Sequence, residues 1–197
     1  TQRSPAFDVV SVDDPWIPQF ASFLTPASFS EELTEWLVPV AGAVARFPED
    51  VTPCGIPWLG DSQFFVSRPT WLQQATPATW DKTVDAADSI VSTLIPGEEL
   101  AAFAISTLTP HAMVDSYLPI LRGCGKDLID PDTSVPQLDT PEAVEAIAIF
   151  QRLAALSPVE SAATGDPSNM ERFESGDVAM MSNFWASALL AASIVEV

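Results

Sequence analysis

The chain contains few of the residues that bind metals or form disulfides. Its 197 residues include two cysteines, Cys54 and Cys124, and a single histidine, His111. Neither a C-x-x-C pair nor a histidine cluster is present, so the sequence does not contain the spacing of a zinc site. It also lacks the phosphate-binding loop motif. We therefore expect no metal and no cofactor. A disulfide is permitted in an exported protein. We expect none, because the two cysteines fall on opposite sides of the strand predicted at 100–106, in what we expect to be two different lobes.

Basic residues and long apolar runs are also scarce. Eight Lys and Arg face 27 Asp and Glu, which gives a formal net charge of −19. Such a chain repels phosphates, so nucleic acid is excluded as a partner and anionic membrane surfaces are disfavoured. No run of about 18 apolar residues is present that could span a membrane, and no signal peptide is visible. Hydrophobic residues make up 47% of the chain, which is enough to form a core and argues against disorder.

The most informative stretch runs from a predicted helix into a predicted strand. Asp166, followed by proline, predicts the start of the helix, and Gly176 predicts its end. The apolar run 178–181 predicts a strand buried on both faces, and the polar pair 182–183 predicts the end of that strand. Trp185 would then lie at the strand's carboxyl end, where ligands bind in open α/β sheets. The alternative is that Trp185 is an ordinary core residue.

This stretch resembles a known family. The pattern F-x-x-G-x-x-A-M-M-x-x-x-W at 173–185 resembles a segment of the extracellular solute-binding proteins that feed sugars to ABC importers, the maltodextrin-type group. In that family the tryptophan after the strand stacks against a sugar ring, so the resemblance implies that role for Trp185.

Other segments resemble the same family, in the family's order. They are D-V-V-x-V-D-x-x-W-x-x-x-F-A at 8–21, G-x-P-x-x-x-D at 55–61, P-x-T-W at 77–80 and D-T-P-E-A-V-E-A-I at 139–147. The family usually has tyrosine and asparagine after the second of these segments. Here Val66-Ser67 or Phe65-Val66 stands in their place, so the polar contacts at that point depart from the family's pattern.

Acids and aromatics near the ends of predicted strands are the candidate ligand-binding residues. A strand at 7–12 leads into two aspartates and an indole, and strands at 51–58 and 62–67 flank a turn that ends in Asp61. Carboxylates accept hydrogen bonds from hydroxyl groups, and an indole face is a broad apolar platform. The alternatives left open are helix capping for Asp13 or Asp14, core packing for Trp16 and a plain turn for Asp61. The candidates are Trp185, Asp14, Trp16, Trp58, Asp61, Asp13 and Tyr117.

Capping residues and apolar spacing predict four more helices. They cover residues 28 or 30 to 46, 79–91, 109–123 and 139–154. Trp36 and Trp80 are expected to pack in the core, and His111 is expected at the surface. Tyr117 could reach a ligand cleft from the third helix, although the pattern does not fix which way it faces. The inward face of the last helix is predicted to consist of Ala143, Ile147, Phe150 and Leu153 or Ala154.

Strands alternating with helices predict α/β lobes. The resemblance implies a periplasmic-binding-protein-like fold, with lobe 1 at 1–99, a crossing strand at 100–106 and lobe 2 at 107–197. It covers nearly all of this chain but only the middle half of a typical member. We therefore expect a processed or truncated piece, incomplete in both lobes, whose exposed sheet edges favour self-pairing.

The resemblance implies a carbohydrate-binding receptor of an ABC importer, located in the periplasm or outside the cell, with lipid anchoring left open. A sugar or oligosaccharide would bind between the lobes, and the closed form would meet the membrane permease. One alternative is a binding protein for another polar solute. The other is a glycoside hydrolase that pairs Asp13 or Asp14 with Asp61 at about 5–5.5 Å or about 6.5–9.5 Å. No nucleophile motif supports catalysis, so we expect no enzyme.

Overall fold

The computed structural model describes residues 8–13, 16–28, 46, 52–57, 60, 62–72, 75–94, 100–130, 132–158 and 166–185. For residues 166–167 and 183–185 it describes the backbone. The chain divides into two compact units, Thr1–Gly60 and Asp61–Val197.

The first unit contains little regular structure in its described part. Helix α1 (Ile17–Phe20) begins without a side-chain cap and is followed by a 3₁₀ turn, Ala21–Phe23. A single antiparallel bridge joins Arg46 to Pro53 among the residues described in this unit. Neither helix α1 nor the 3₁₀ turn buries a residue.

Two predicted strands of the first unit are not formed where the structure describes them. Residues 8–13 have no regular secondary structure, and Val9 and Val10 are 89% and 65% exposed. In residues 52–57 only Pro53 makes a bridge. β-Branched residues favour an extended backbone, but a strand also needs a hydrogen-bonded neighbour. The helix predicted from 28 or 30 to 46, including Trp36, lies outside the described residues apart from its ends.

The described part of the second unit contains a three-stranded mixed sheet. The strands are β1 (Gln63–Ser67), β2 (Ala101–Ala104) and β3 (Val178–Trp185), in the order β1-β3-β2. β1 is antiparallel to the central β3, whereas β2 is parallel to it. All residues of β2 are buried, as the fully apolar run at 100–106 predicted.

Among the described residues, four helices accompany this sheet: α2 (Trp80–Val91), α3 (Pro110–Gly123), α4 (Pro141–Ala155) and α5 (Asp166–Ser175). The first three begin at a threonine whose hydroxyl accepts a hydrogen bond from the backbone N–H three residues later. These threonines are Thr79, Thr109 and Thr140. Each hydroxyl satisfies one of the unpaired N–H groups at a helix start, so the predicted starts of these helices are confirmed.

Helix α5 ends in a Schellman motif, which turns the chain directly into β3. Gly176 has a positive φ of 96°, a conformation that glycine adopts at little steric cost. Its N–H donates to Phe173 O, and Asp177 N–H donates to Arg172 O, the two bonds of that motif. The side chain of Arg68, just after β1, donates to Phe173 O and Glu174 O and lies over the Phe173 ring. A cation at this helix end suits the helix dipole.

The larger core cluster of the second unit packs α2, α3 and α4 around the strands. Phe103 of β2 and Met180 of β3 are fully buried in it together with Leu153 of α4. Trp80 is half-buried against this cluster, and its Nε1 donates to Pro119 O at 3.0 Å. The structural role predicted for Trp80 is therefore confirmed. A smaller cluster joins residues of α5 to the strands.

β1 and α2 lie in the same compact unit as β2 and β3, and the lobe boundary after residue 99 stays a prediction. Two details of the second unit differ from the sequence predictions. β3 continues through the polar pair 182–183 to Trp185 because it stays paired with β1. On α4, Ala146 and Ile149 are buried while Ile147 is 42% exposed. Among the described helices, none has both the length and the apolarity to cross a membrane.

Candidate ligand-binding edge

One end of the sheet collects the carboxyl ends of two parallel strands. β2 and β3 pair in parallel, with Ala104 opposite Met181, so both strands end at the same edge. β1 is antiparallel and therefore starts there, with Gln63 opposite Trp185. Trp185 is the last residue of β3, so its predicted position at the strand's carboxyl end is confirmed. This sheet end is called the carboxyl edge below.

A β-bulge precedes Trp185. The pairs Gln63–Trp185 and Phe64–Phe184 are offset by one residue from the pairs Val66–Met181 and Ser67–Met180. Only residue 65 lies between these pairs on β1, whereas residues 182 and 183 lie between them on β3. Two residues therefore oppose one, which is the arrangement of a bulge. Bulges bend a strand and re-aim the residues that follow, and they are frequent beside functional sites.

Two buried hydroxyl groups lie near the carboxyl edge without a hydrogen-bond partner among the described residues. They belong to Ser106, two residues beyond the end of β2, and to Ser182 in the bulge. The amide of Asn169 on α5 is also buried, at 1% exposure, and is likewise unpartnered in the part of the chain that the structure describes. Buried polar groups normally have partners, so these three groups have unused hydrogen-bonding capacity.

Tyr117 packs inside the second unit. Its hydroxyl donates to Ala143 O at 3.2 Å, and its ring meets Phe150 edge-on with centroids 6.3 Å apart. Burial raises the pKa of Tyr117, and the neighbouring Cys124 adds to the effect. These contacts join α3 to α4 and favour a structural role, while a ligand role for Tyr117 stays a prediction.

Asp13 and Trp16 lie in the first unit. Trp16 is 53% exposed, and its ring centroid is 6.4 Å from that of Phe20, one helical turn further on. The backbone N–H of Trp16 donates to the backbone oxygen of Asp13 at 3.0 Å. The carboxylate of Asp13 is exposed and caps no helix, because α1 has no side-chain cap. An exposed indole and an exposed carboxylate are chemically suited to a polar ligand with an apolar face.

Asp14, Trp58 and Asp61 lie outside the described residues. Asp61 precedes Gln63 by two residues in the sequence. The ligand roles predicted for these three residues stay predictions.

Cys54 and Cys124 are free thiols. Burial raises the pKa of both, and the carboxylates of Glu145, Asp81 and Glu142 raise that of Cys124 further. A raised pKa keeps a thiol protonated and weakly nucleophilic. His111 is exposed at the start of α3, as expected, with Nε2 3.2 Å from a carboxylate oxygen of Asp115. Within the described residues, no group of His, Cys, Asp and Glu is arranged to hold a metal ion.

Sequence reasoning did not single out Gln63, Ser106 or Ser182. Gln63 and Ser182 owe their places at the edge to the register between β1 and β3, which no local pattern encodes. Ser106 could have been predicted, because it is the last residue of an apolar run that indicates a buried strand.

Solved structures of ABC-transporter solute-binding proteins have the same fold. An α-D-tagatose-bound solute-binding protein of Thermotoga lettingae aligns with a TM-score of 0.68 at 23% identity, covering 85% of this chain and 45% of its own. Maltose-bound MalE3 of T. maritima gives a TM-score of 0.74 at 22% identity, covering 87% of this chain and 44% of its own. A ribitol complex of a solute-binding protein from Agrobacterium radiobacter gives a TM-score of 0.71 at 19% identity, covering 92% of this chain and 47% of its own. The predicted class, an α/β fold of the periplasmic-binding-protein type, is confirmed.

The family is shown by the sequence. The profile of the bacterial extracellular solute-binding protein family matches residues 1–195, and the chain belongs to that family. No curated protein gave a match. The chain spans less than half the length of the three solved structures above.

Proposed function

We propose that this chain is part of a carbohydrate-binding receptor of an ABC importer, which captures a sugar or a related polyol and presents it to the membrane permease. The observation that carries the proposal is the carboxyl edge in a chain of the solute-binding family. There β3 ends at Trp185, beside the start of β1, and the parallel β2 points toward the same edge, ending opposite Met181. Ligands of open α/β sheets bind at such an edge.

The chemistry near this edge suits a polyhydroxylated ligand. An indole at position 185 can stack on the C–H face of a sugar. The hydroxyls of Ser106 and Ser182 have unused hydrogen-bonding capacity, and a hydroxyl group both donates and accepts. The structural neighbours named above were solved with a ketohexose, a disaccharide and a pentitol. This range favours the broad class of sugars and polyols over one particular compound.

The remaining ligand contacts are proposed from the resemblance. Trp16, Asp13, Asp14, Trp58 and Asp61 would add a second stacking surface and carboxylate acceptors. Asp61 is attached to the carboxyl edge by two residues of chain, about 7 Å at most when extended. Closure of two lobes around the ligand, a location outside the cytoplasm and the absence of turnover are proposed from the family in the same way, with lipid anchoring left open. Self-pairing is proposed on a different ground, because an unpaired sheet edge can pair with another chain.

Isothermal titration calorimetry tests the proposal. We expect maltose, tagatose or ribitol to bind the purified protein, and Trp185→Ala to weaken binding about tenfold, because losing a stacked aromatic costs roughly 1.4 kcal/mol. Trp185→Phe should keep part of the affinity, and Val144→Ala, an exposed change on α4, is the control. The proposal fails if no member of the panel binds, or if Trp185→Ala binds as tightly as the unaltered protein. Release of shorter sugars from an oligosaccharide would instead favour the hydrolase.

A further inference from the structure

A groove of about 500 Å³ lies in the second unit, away from the carboxyl edge. One wall is formed by residues 71–72 and 75–78, and the other by helix α2. The first wall follows β1 at the end opposite to Gln63, since Arg68 N–H donates to Ala179 O near the start of β3. The two ends of β1 are about 14 Å apart. The groove is therefore separate from the proposed binding edge.

The shape of the groove follows from the spacing of its helical residues. Helix α2 and its carboxyl end contribute residues 82, 85, 86, 89, 90 and 93. Relative to residue 82, these positions fall at +3, +4, +7, +8 and +11, so they share one helix face over three turns and span about 16 Å. An opening of this length suits an elongated ligand more than a compact one.

The groove has an apolar base and a polar rim. Ile90 is 5% exposed, and the half-buried Leu72 and Trp71 belong to the same hydrophobic cluster. Lys82 and Asp85 lie on the exposed side. Neither the ammonium nor the carboxylate has a side-chain partner in the described part of the chain. One donor and one acceptor therefore lie three residues apart on α2, both exposed to solvent and neither paired with another charged side chain among the described residues.

Further hydroxyl groups complete the rim. Ser89 lies one turn beyond Asp85 on α2, and Thr76 lies on the opposite wall. The Thr76 hydroxyl is 3.3 Å from that of Ser67, and a hydroxyl can take part in more than one hydrogen bond. A polar rim over an apolar base fits a ligand whose hydroxyl groups surround a C–H face.

We propose that this groove is a second carbohydrate site, which takes an oligosaccharide chain lengthwise. The sugar C–H faces would pack on Trp71 and Leu72, while its hydroxyl groups would donate to Asp85 and accept from Lys82. An apolar peptide helix fits less well, because it would cover the rim without pairing these groups, and leaving them unpaired costs free energy. The inference does not depend on the proposed function, since it concerns other residues.

Solution NMR with maltotetraose as the probe tests this site. In the Trp185→Ala protein, which lacks the proposed stacking residue of the first site, we expect maltotetraose to shift the backbone amide signals of Lys82, Asp85 and Ser89. Adding Lys82→Ala and Asp85→Ala should weaken this binding at least tenfold. Asp81→Ala is the matched control, because Asp81 is exposed on the same helix but does not line the groove.

Each outcome decides between the two sites. If the α2 signals do not shift in either protein while the unaltered protein binds sugar, the second site is wrong and the proposed function stands. If they shift but Trp185→Ala leaves total binding unchanged, the second site stands and the proposed role of Trp185 is wrong. If an apolar helical peptide shifts them and maltotetraose does not, the groove is a peptide site and the inference is overturned.

Discussion

The two compact units differ in how their helices are held. In the second unit α2, α3 and α4 each have a threonine cap and a buried face. In the first unit α1 has neither a side-chain cap nor a buried residue, and aromatic rings such as Trp16 remain exposed. Most of a helix's stability in a protein comes from packing an apolar face. Among the described residues, the helices α2, α3 and α4 of the second unit are therefore held by buried apolar faces, whereas α1 of the first unit is not.

The largest expected effect tests whether stability resides in the second unit's core. Phe103 is fully buried, and its ring lies 6.3 Å from that of Phe65. We expect Phe103→Ala to lower the free energy of unfolding by about 3–5 kcal/mol, because it leaves a cavity. Phe20→Ala in α1 is the matched change, and it should cost no more than about 0.5 kcal/mol at an exposed position. Urea denaturation followed by circular dichroism measures both, and equal losses would abolish the distinction between the units.

A smaller effect is expected from adding one methyl group to a glycine in each unit. A Cβ at Gly123 would stand 2.4 Å from Cδ1 of Trp80, and the Trp80 ring is held by its hydrogen bond to Pro119 O. We expect Gly123→Ala to destabilise the protein by about 1–3 kcal/mol through overpacking. At Gly55 an added Cβ meets nothing within 4 Å, so Gly55→Ala should leave stability nearly unchanged. Thermal unfolding of the two variants would contradict the comparison if both melted alike.

The helix caps should contribute less than the core. Thr140 Oγ1 accepts from Ala143 N–H at 3.2 Å at the start of α4. We expect Thr140→Ala to cost about 1 kcal/mol, because that N–H loses its partner, whereas Thr140→Ser keeps the hydroxyl and most of the stability. Chemical denaturation compares them. If the serine variant loses as much as the alanine variant, the threonine acts through its methyl packing and the cap explanation is wrong.

The second unit was largely predictable because its signals are local. Threonine caps, prolines at helix starts and Gly176 each fix a boundary through the residue's own chemistry. The strand predicted at 7–12 was wrong for its described part because pairing depends on a neighbour that the sequence does not name. On α4 the prediction was right for Ala143 but wrong for Ile147, because the helix buries the small Ala146 in its place, and small residues can also form the buried face of a helix.

The candidate site was predictable only in part. The apolar run predicted β3 and the position of Trp185 at its carboxyl end, although the strand continues through the polar pair 182–183, where its end was predicted. Its partner Gln63, and the bulge at Ser182, depend on inter-strand register, which local sequence does not determine. The helix that contains Tyr117 was predicted, but the direction in which the Tyr117 side chain points was not. The rotation of a helix about its axis is set by packing against its neighbours.

The smallest effect is expected in a loop of the second unit that a carboxylate organises. Oδ1 of Asp130 accepts from the N–H groups of Asp132 and Thr133 at 3.0 and 2.8 Å, and Oδ2 accepts from Nε2 of Gln137 at 2.6 Å. The bond from Thr133 N–H is the main reason that the pKa of Asp130 lies below its usual value. In the first unit, the contact between Trp16 N–H and Asp13 O joins two backbone groups instead.

This difference gives the loop a pH dependence whose sign is fixed. A carboxyl group with a lowered folded-state pKa stabilises the fold fully above the unfolded value of about 3.9, and that contribution is lost as the pH falls through the lower folded-state pKa. We expect a ¹³C NMR titration of the Asp130 carboxyl group to have its midpoint below 3.8. The Thr133 amide signal should shift over the same pH range, and Asp130→Asn should abolish that shift. A midpoint at or above the usual pKa of an aspartate would mean that the carboxylate does not hold this loop.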